Sequence, residues 1–411
     1  MTSATGERRL RLGVAGLGRA FTLMLPTFVR HPRVVLAAAA DPRPEARDRF
    51  AGEFGARVYA TVDALCADPG LDAVYIASPH GFHTEHVRLA AAHGKHVLVE
   101  KPMALTLEDC AAMVAFARNA GVHLLVGHSH SFDLPYLRTR ALIDTGEFGA
   151  VRMITAVNFT DYLYRPRRPE ELDTAQGGGA LFSQAPHQVD VVRLLAGAPA
   201  CSVRASAGRW DPARTTEGAY AAHLCFADGA FAALTYSGYA HFDTDALQGW
   251  VGEMGQRRDP AAYGDARRGL REVAGPAAEA ALKERRAYGI GFPPAETLRA
   301  APPPAAHNHF GLVVVSCERG DLRPMPDRVE VYADDARRVE TLPVPDVPRR
   351  EVVDELAGAV LDGRRPLHTG EWGMATTEIV LALRASAETG REVALHHQAS
   401  LPLLREVTTW R

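Results

Sequence analysis

Two patterns of apolar and polar positions divide the chain between about residues 130 and 150. Before that point, short apolar runs such as Leu10–Ala15 and Val34–Ala40 alternate with stretches of helical periodicity, for example 19–29. Strands that alternate with helices at this spacing predict a parallel, doubly wound sheet.

After about residue 150, segments with a period of two predominate, namely 151–157, 202–207, Ala219–Phe226, Phe231–Ser237 and 328–332. This pattern predicts a largely antiparallel, open sheet. A helical pattern at 188–195 predicts that helices cover one face of it. The other face is then expected to form the interface of a homodimer or homotetramer. We therefore expect an α/β protein with one domain at 1–130 and a second at 131–411.

The 257–304 segment is rich in Ala, Arg and Pro and has helical periodicity at 262–286. It is predicted to be an insertion in the second domain, serving either as a lid or as an oligomer contact. Helical patterns at 350–361 and 371–389 follow near the end of the chain, and these helices are expected to pack back on the first domain.

Composition narrows the class of protein. Of the 411 residues, 47% are hydrophobic and 23% are charged, with a formal net charge of −3, so neither nucleic acid nor an anionic membrane surface is an expected partner. No apolar run approaches the roughly 20 residues that a membrane span needs. The first nine residues contain no apolar signal core, and a cytoplasmic location is therefore expected.

A glycine turn follows the first predicted strand. Gly16-Leu17-Gly18 leads into a helix that begins with Arg19 and Ala20. A strand, a glycine turn and a helix form the usual entry for a dinucleotide, because the backbone approaches the pyrophosphate and the helix N-terminus attracts its charge. Phe21 stands where a third Gly or Ala is usual, so a tight turn without a ligand is an equally good interpretation.

An acidic residue after the second strand favours the dinucleotide. Asp41 follows the strand Val34–Ala40, at about the distance from the glycines where an acid binds the adenosine ribose hydroxyls. An acid at this point favours NAD over NADP. Arg43 weakens that preference, because it could pair with a 2′-phosphate.

Lys101 is the main candidate for proton transfer. It follows a buried strand, and ligands collect at the carboxyl ends of strands in such sheets. Only three lysines occur, Lys95, Lys101 and Lys283. Lysine can lose its proton when it is desolvated, whereas arginine stays charged. The alternative is that Lys101 is an ordinary surface residue after a strand.

Three further stretches carry candidate chemistry. Gly177-Gly178-Gly179 precedes Gln184 and His187, and its glycines permit either close approach to a flat ligand or a tight loop. The loop at 162–168 holds Arg165, Arg167 and Arg168, which suit carboxylates, although a solvated loop is the alternative for each of them. His128 and His130 follow the sixth strand; a metal site is conceivable for two histidines one residue apart, but substrate hydrogen bonding is the preferred interpretation and no metal is expected.

These motifs together resemble the Gfo/Idh/MocA oxidoreductases. The resemblance is carried by Gly16-Leu17-Gly18, by 72–79 with His83, by Gly94 to Pro102, and by Gly177-Gly178-Gly179 with His187. It implies a Rossmann domain, a C-terminal α/β domain with an open sheet, and a nicotinamide cofactor. It also implies that Lys101 is catalytic, that the Lys101–Pro102 bond is cis, and that His187 shares the proton.

The resemblance also implies the residues that bind each ligand. For the cofactor, NAD with NADP as an alternative, they are Gly16, Gly18, Arg19, Ala20, Asp41, Arg43, Ser78, Pro79, His83, Glu100 and Lys101. For a small-molecule substrate we expect His128, His130, Arg165, Arg167, Arg168 and Gln184.

One position departs from the family pattern. Typical members carry an aspartate four residues before the histidine, and this chain has Ser183 there. A plain sugar or inositol substrate is therefore less expected. Within the family, the arginine loop and the residues around Gln184 resemble dehydrogenases of carboxylated cyclic cis-dihydrodiols, which yield catechols. Two alternatives stay open: a dehydrogenase of a sugar, sugar acid or cyclitol, and a non-catalytic NAD-binding sensor.

Overall fold

The computed structural model describes residues 8–127, 129–262, 264–289 and 291–401. Strands and helices alternate through its first third: β1 (Leu10–Ala15), α1 (Arg19–Arg30), β2 (Val34–Ala40), α2 (Pro44–Phe54), β3 (Arg57–Tyr59), α3 (Val62–Cys66), β4 (Ala73–Ile76), α4 (His83–Ala92), β5 (His96–Val99), α5 (Leu107–Ala120) and β6 (Leu124–Val126). The strands form one parallel sheet in the order β3-β2-β1-β4-β5-β6, which confirms the predicted doubly wound sheet.

The remainder contains α6 (Leu134–Ile143), β7 (Val151–Phe159), α7 (Gly179–Ser183), α8 (Ala185–Ala196), β8 (Ala200–Gly208), β9 (Ala219–Phe226), β10 (Phe231–Ser237), α9 (Asp265–Arg271), α10 (Pro276–Glu284), α11 (Ala295–Ala300), β11 (Leu312–Cys317), β12 (Gly320–Met325), β13 (Arg328–Ala333), β14 (Arg337–Thr341), α12 (Arg350–Asp362), α13 (Gly370–Thr389) and β15 (Val393–Ala394). A nine-stranded sheet runs in the order β14-β13-β12-β11-β7-β10-β9-β8-β15. Among the strands of this sheet that the structure describes, only β7 and β10 pair in parallel, so the sheet is largely antiparallel, as predicted.

Helices cover one face of the nine-stranded sheet. Every residue of α8 is buried, because the helix packs between the sheet and α13. The closing helices also reach the first sheet. Val352 and Leu356 of α12 join the core around β1 and α1, and Val126 N donates to His368 O at 2.9 Å. The two sheets are therefore held together by the end of the chain.

The helical periodicity predicted at 262–286 is confirmed, although it is divided between two helices. The structure has two helices there, α9 and α10, with Gly275 between them at a φ of +86°. Pro276 then opens α10, because its fixed φ suits a first helical turn and not a helix interior.

The 257–304 segment lies against its own chain. Tyr288 N donates to Leu17 O at 3.1 Å, while Arg30 of α1 donates to Leu298 O at 3.0 Å. No helix within the described ranges is long and apolar enough to cross a membrane.

Candidate active site

A cleft of about 940 Å³ lies at the carboxyl ends of β1, β2, β4, β5 and β6, facing the second sheet. Residues from both predicted domains and from the 257–304 segment line it. Nine of the lining residues are Lys or Arg and five are Asp or Glu, so the cleft carries an excess of positive charge suited to an anionic ligand.

The glycine turn forms the floor of one end of the cleft. Gly16 has a φ of +95°, and a Cβ there would lie 3.0 Å from both Ala77 O and Ser78 N. Gly18 has open space where a Cβ would stand, and α1 begins directly after it with Arg19 and Ala20 facing the cleft. Exposed backbone at a helix N-terminus fits the diphosphate of a dinucleotide.

Phe21 occupies the third motif position for a structural reason. Its ring is fully buried and meets Tyr288 edge-on at 5.4 Å and Phe50 at 6.0 Å. Tyr288 belongs to the 257–304 segment. The large side chain therefore anchors that segment, and the first two glycines still shape the turn.

Asp41 and Arg43 lie together at the end of β2. Asp41 Oδ2 accepts a hydrogen bond from Leu17 N at 2.8 Å, and Arg43 Nε donates to Asp41 Oδ1 at 2.8 Å. Although burial favours the neutral acid, the bonds from Arg43 and Leu17 hold the pKa of Asp41 below its usual value. An ionised acid and an arginine thus meet at the edge of the cleft.

Two histidines of α4 contact the turn that follows β4. Ser78 Oγ lies 2.8 Å from His86 Nδ1, and Ser78 and Pro79 line the cleft. His83 is buried, with its two ring nitrogens 2.9 Å from Ser78 O and 3.1 Å from Met103 O. These contacts make His83 a support for the turn, and a direct contact of His83 with the cofactor stays a prediction.

Glu100 and Lys101 end β5 at the middle of the cleft. The Lys101–Pro102 peptide bond is cis, as the resemblance implied. Tyr75 Oη donates to Glu100, and Lys101 Nζ donates to Ser183 O at 3.1 Å. Burial lowers the pKa of Lys101, with Arg349 acting in the same direction and Glu100 opposing it. A lysine that loses its proton readily can act as a base.

Two predicted histidines meet in the cleft that Lys101 also lines. His187 lies in the first turn of α8, and its ring is 4.8 Å from that of His130, nearly perpendicular to it. Asp133 Oδ2 is 2.6 Å from His130 Nδ1. All three side chains are buried, and Phe310 packs against both rings at 5.1 and 5.2 Å. The predicted site residue His128 lies outside the described residues.

Arg165 is paired with acids. Its Nε donates to Asp161 Oδ1 at 2.9 Å, and its Nη1 is 3.5 Å from Glu253 Oε2. Although burial opposes the charge, Glu253 and Asp161 raise the pKa of the Arg165 guanidinium above its usual value.

Arg167 and Arg168 also line the cleft. The guanidinium of Arg167 stacks 3.7 Å from the ring centre of Tyr162 and donates to Tyr162 O at 2.7 Å. Arg168 lies 3.0 Å from Glu170 and 3.6 Å from Glu284. Acids that flank the loop, together with Glu253 and Glu284 from later in the chain, therefore hold its arginines in place.

The three glycines at 177–179 are packed closely against other residues of the chain, and they do not line the cleft. A Cβ on Gly178 would lie 2.6 Å from Glu171 O, and one on Gly179 would overlap Glu217. The second interpretation, a tight loop, therefore accounts for them. Ser183 and Gln184, which follow, do line the cleft.

The sequence did not single out several cleft residues. Arg349 is one of them, with a φ of +50° and only 6% exposure, and its Nη1 donates to Leu23 O at 3.1 Å. Glu253 is another, and its carboxylate accepts from Asn158 Nδ2 at 3.2 Å. Neither lies in a recognisable motif, so only the folded chain brings them to the cleft. Among the described residues, no group of three or more His, Cys, Asp or Glu could hold a metal ion.

Two family models match the chain. An oxidoreductase family with an NAD-binding Rossmann fold matches residues 10–128, and the GFO/IDH/MocA C-terminal domain matches residues 136–253. The Comamonas testosteroni protein 1-carboxy-3-chloro-3,4-dihydroxycyclohexa-1,5-diene dehydrogenase is 48% identical over 376 residues, covering 91% of this chain and 94% of its own. Inositol 2-dehydrogenase of Rhizobium meliloti is 30% identical over 48% of this chain and 57% of its own.

Solved structures agree with this assignment. A dehydrogenase candidate from Bordetella bronchiseptica RB50 superposes with a TM-score of 0.87 at 42% identity, covering 94% of this chain and all of that one. Aldose–aldose oxidoreductase from Caulobacter crescentus shares the fold, with a TM-score of 0.67 at 23% identity over the same share of each chain. With its glycine turn, Asp41 and Glu100-Lys101-Pro102 in place, the chain belongs to the Gfo/Idh/MocA family of NAD-binding oxidoreductases.

Proposed function

We propose that this enzyme oxidises a carboxylated cyclic cis-dihydrodiol, of the phthalate 4,5-cis-dihydrodiol type, to the catechol. The observation that carries the proposal is the 48% identity, over 94% of its length, to a dehydrogenase named for a carboxylated cyclic diol. That match extends through the substrate-binding half, whereas the inositol relative matches over about half of either chain. The positive charge of the cleft supports an anionic substrate in addition to the dinucleotide.

The cofactor would be held by the first sheet. Its diphosphate would rest on Gly16, Gly18, Arg19 and Ala20, its adenosine ribose on Asp41 and Arg43, and its nicotinamide half near Ser78, Pro79, His83 and Glu100. When bound, the nicotinamide accepts a hydride from the carbinol carbon of the substrate.

Lys101 would accept the hydroxyl proton as that hydride leaves. Its Nζ is fixed by Ser183 O at 3.1 Å, and its burial favours the neutral amine. The resulting ketone then enolises to the aromatic ring: a proton leaves the neighbouring ring carbon, and the carbonyl oxygen takes up a proton from the Lys101 ammonium. Aromatisation makes the overall oxidation favourable.

The histidine pair offers a path for the second proton. Asp133 fixes the ring of His130 through Nδ1, which is how a carboxylate orients a histidine base. His187 lies next to His130, so the two rings would relay the proton that leaves the ring carbon. Ser183, which stands where typical members have an aspartate, cannot take that proton because a hydroxyl is too weak a base. Arg165, Arg167, Arg168 and Gln184 would orient the substrate, with its carboxylates bound by the arginines.

We further propose a homodimer or homotetramer formed through the open face of the nine-stranded sheet. Met153 on β7 and Phe231 on β10 lie opposite each other in register on that face, and they are 37% and 38% exposed. Tyr332 on β13, 41% exposed, belongs to the same sheet. Exposed large apolar side chains on an uncovered sheet face are typical of an interface. The cytoplasmic location stays a prediction.

The deciding experiment is NAD reduction, followed by NADH absorbance, with phthalate cis-4,5-dihydrodiol, inositols and sugar acids side by side. We expect fast reduction with the dihydrodiol, and slower reduction with the cis-dihydrodiol of benzene, which lacks carboxylates. Reduction with polyols alone would overturn the proposal in favour of a cyclitol or sugar dehydrogenase. Tight NAD binding without turnover on any of the diols would indicate a sensor.

A further inference from the structure

Positive charges cluster at the first turn of α1 without acids to balance them. In the described part of the chain, the acids that line the cleft are bonded to groups other than these two arginines, for example Asp41 to Arg43 and Glu253 to Arg165. No salt bridge joins Arg19 or Arg286 to a carboxylate among the same residues, although both line the cleft. Two guanidinium groups at one end of a cleft repel each other until an anion lies between them.

Arg286 reaches this place because the 257–304 segment is attached to the glycine turn. Thr22 Oγ1 lies 2.9 Å from Arg286 O and 2.8 Å from Arg19 O, so its single hydroxyl hydrogen is shared between the backbones that carry the two arginines. Two residues later, Tyr288 N donates to Leu17 O and the Tyr288 ring packs on Phe21. The backbone of Arg286 is therefore fixed over the helix end where a diphosphate fits.

The other side of the segment is attached to the arginine loop. Lys283 Nζ lies 2.9 Å from Glu171 Oε1, and Glu279 Oε1 accepts from Arg167 N at 2.8 Å. The segment thus bridges the dinucleotide end and the proposed substrate end of the cleft. Partial burial and the charges of Arg167 and Arg165 lower the pKa of Arg286, and the charge of Glu171 opposes that shift.

We propose that Arg286 binds ligand, forming with Arg19 a clamp for an oxyanion at the junction of the two ends. The oxyanion is either the diphosphate of the dinucleotide or a carboxylate of the substrate. The 257–304 segment is then part of the binding site and not only a cover. The assignment of the anion as a substrate carboxylate rests on the proposed function, whereas its assignment as the diphosphate does not.

The test compares Arg286→Met with Arg285→Met, its exposed neighbour that does not line the cleft. The bond from Thr22 reaches the backbone of Arg286 and survives the substitution, so both variants should melt at the wild-type temperature. Calorimetry measures binding of ADP-ribose to the free enzyme and of phthalate to the NAD-loaded enzyme, each at low and high salt.

Loss of a charge-assisted hydrogen bond predicts binding weaker by roughly tenfold or more. Weaker ADP-ribose binding in Arg286→Met, with Arg285→Met unchanged, identifies the diphosphate as the anion. A loss confined to phthalate identifies the carboxylate. Wild-type affinity for both ligands in Arg286→Met would overturn the clamp. If wild-type enzyme fails to bind phthalate, the proposed substrate class is wrong, and the ADP-ribose arm alone decides the clamp.

Discussion

Lys101 is the residue on which the proposed reaction depends. It could act as a base or only as a positive charge that binds the substrate, and substitutions distinguish these two roles. A base must be able to release its proton, whereas a binding residue need only be positive. We predict that Lys101→Met lowers the dehydrogenation rate by about 10²- to 10⁴-fold, the usual contribution of a general base, and leaves NAD affinity nearly unchanged. Single-turnover kinetics and calorimetry measure the two effects.

Lys101→Arg is the matched control, because arginine keeps the charge and stays protonated. A base role requires that this variant also be inactive. Substantial turnover by Lys101→Arg would assign the lysine to binding and leave the base to be found elsewhere in the cleft.

Arg349 is a second residue whose role can be tested, through the dependence of the reaction rate on pH. It is buried, and its positive charge lowers the pKa of Lys101, an effect smaller than that of burial. Its left-handed backbone is strained for a non-glycine residue, as is common at functional sites. The rate should rise with pH as Lys101 becomes neutral.

Removing that cation in Arg349→Met lets Lys101 hold its proton to higher pH. We therefore predict that the acid limb of the kcat profile moves to higher pH, with the rate at alkaline pH largely kept. Arg350→Met serves as the control, because Arg350 pairs with Asp346 and Asp354 and does not line the cleft. An unmoved limb in Arg349→Met would show that Arg349 acts only through packing.

At the scale of elements, α12 carries a buried acid. Glu351 is 6% exposed, and burial raises its pKa to about 8, with Asp133 and Asp354 adding to the shift. The folded protein therefore binds this proton more tightly than the unfolded chain does. The associated stability is complete below about pH 4.3, the usual glutamate pKa, and is lost as pH rises towards 8.

The glutamine of Glu351→Gln stays neutral at every pH. We therefore predict that the melting temperature of this variant falls less between pH 6 and pH 9 than that of the wild type. Glu371→Gln is the matched control, because Glu371 also lies in the first turn of a closing helix and its bonds, one of them to Arg118, keep its pKa below the usual value. If the melting temperatures of Glu351→Gln and wild type depend on pH in the same way, then ionisation of Glu351 does not destabilise the folded protein.

Elements with strong periodicity were predictable, and those defined by single residues were not. Residues 10–15, 34–40, 219–226 and 231–237 match β1, β2, β9 and β10 in full, because apolar runs bounded by turns specify strands. The break at Gly275-Pro276 had a signal that the helical composition around it obscured. Strand β12 was missed because Gly320 and Pro324 interrupt its pattern.

The site divides in the same way. Lys101, His187 and Asp41 follow strands or open helices, so topology alone places them at the cleft. Arg349 and Arg286 reach it through contacts with α1 that lie more than 260 residues away in sequence. No local pattern encodes such contacts, and the reason for Phe21 became visible only with Tyr288 beside it.

At the scale of the whole molecule, the open sheet face is the surface that the fold leaves uncovered. Met153 and Phe231 are paired in register on adjacent strands, and Cys225 lies opposite Phe231 on the next strand. The ring of His223 stacks on that of Phe231 at 5.3 Å, which extends the flat surface. A stable subunit interface needs roughly 1,000 Å² or more of buried area, which a nine-stranded face can supply.

We predict that Phe231→Glu dissociates the proposed oligomer, because a carboxylate within the proposed contact would be desolvated without a partner. Light scattering after size exclusion gives the mass directly. Val344→Glu is the control: Val344 is 70% exposed but lies outside the strands, so its variant should keep the wild-type mass. Retention of NAD binding by monomeric Phe231→Glu is expected as well, since the cleft is built within one chain. A wild-type enzyme that is already monomeric would overturn the interface and leave the assignment of the cleft unchanged.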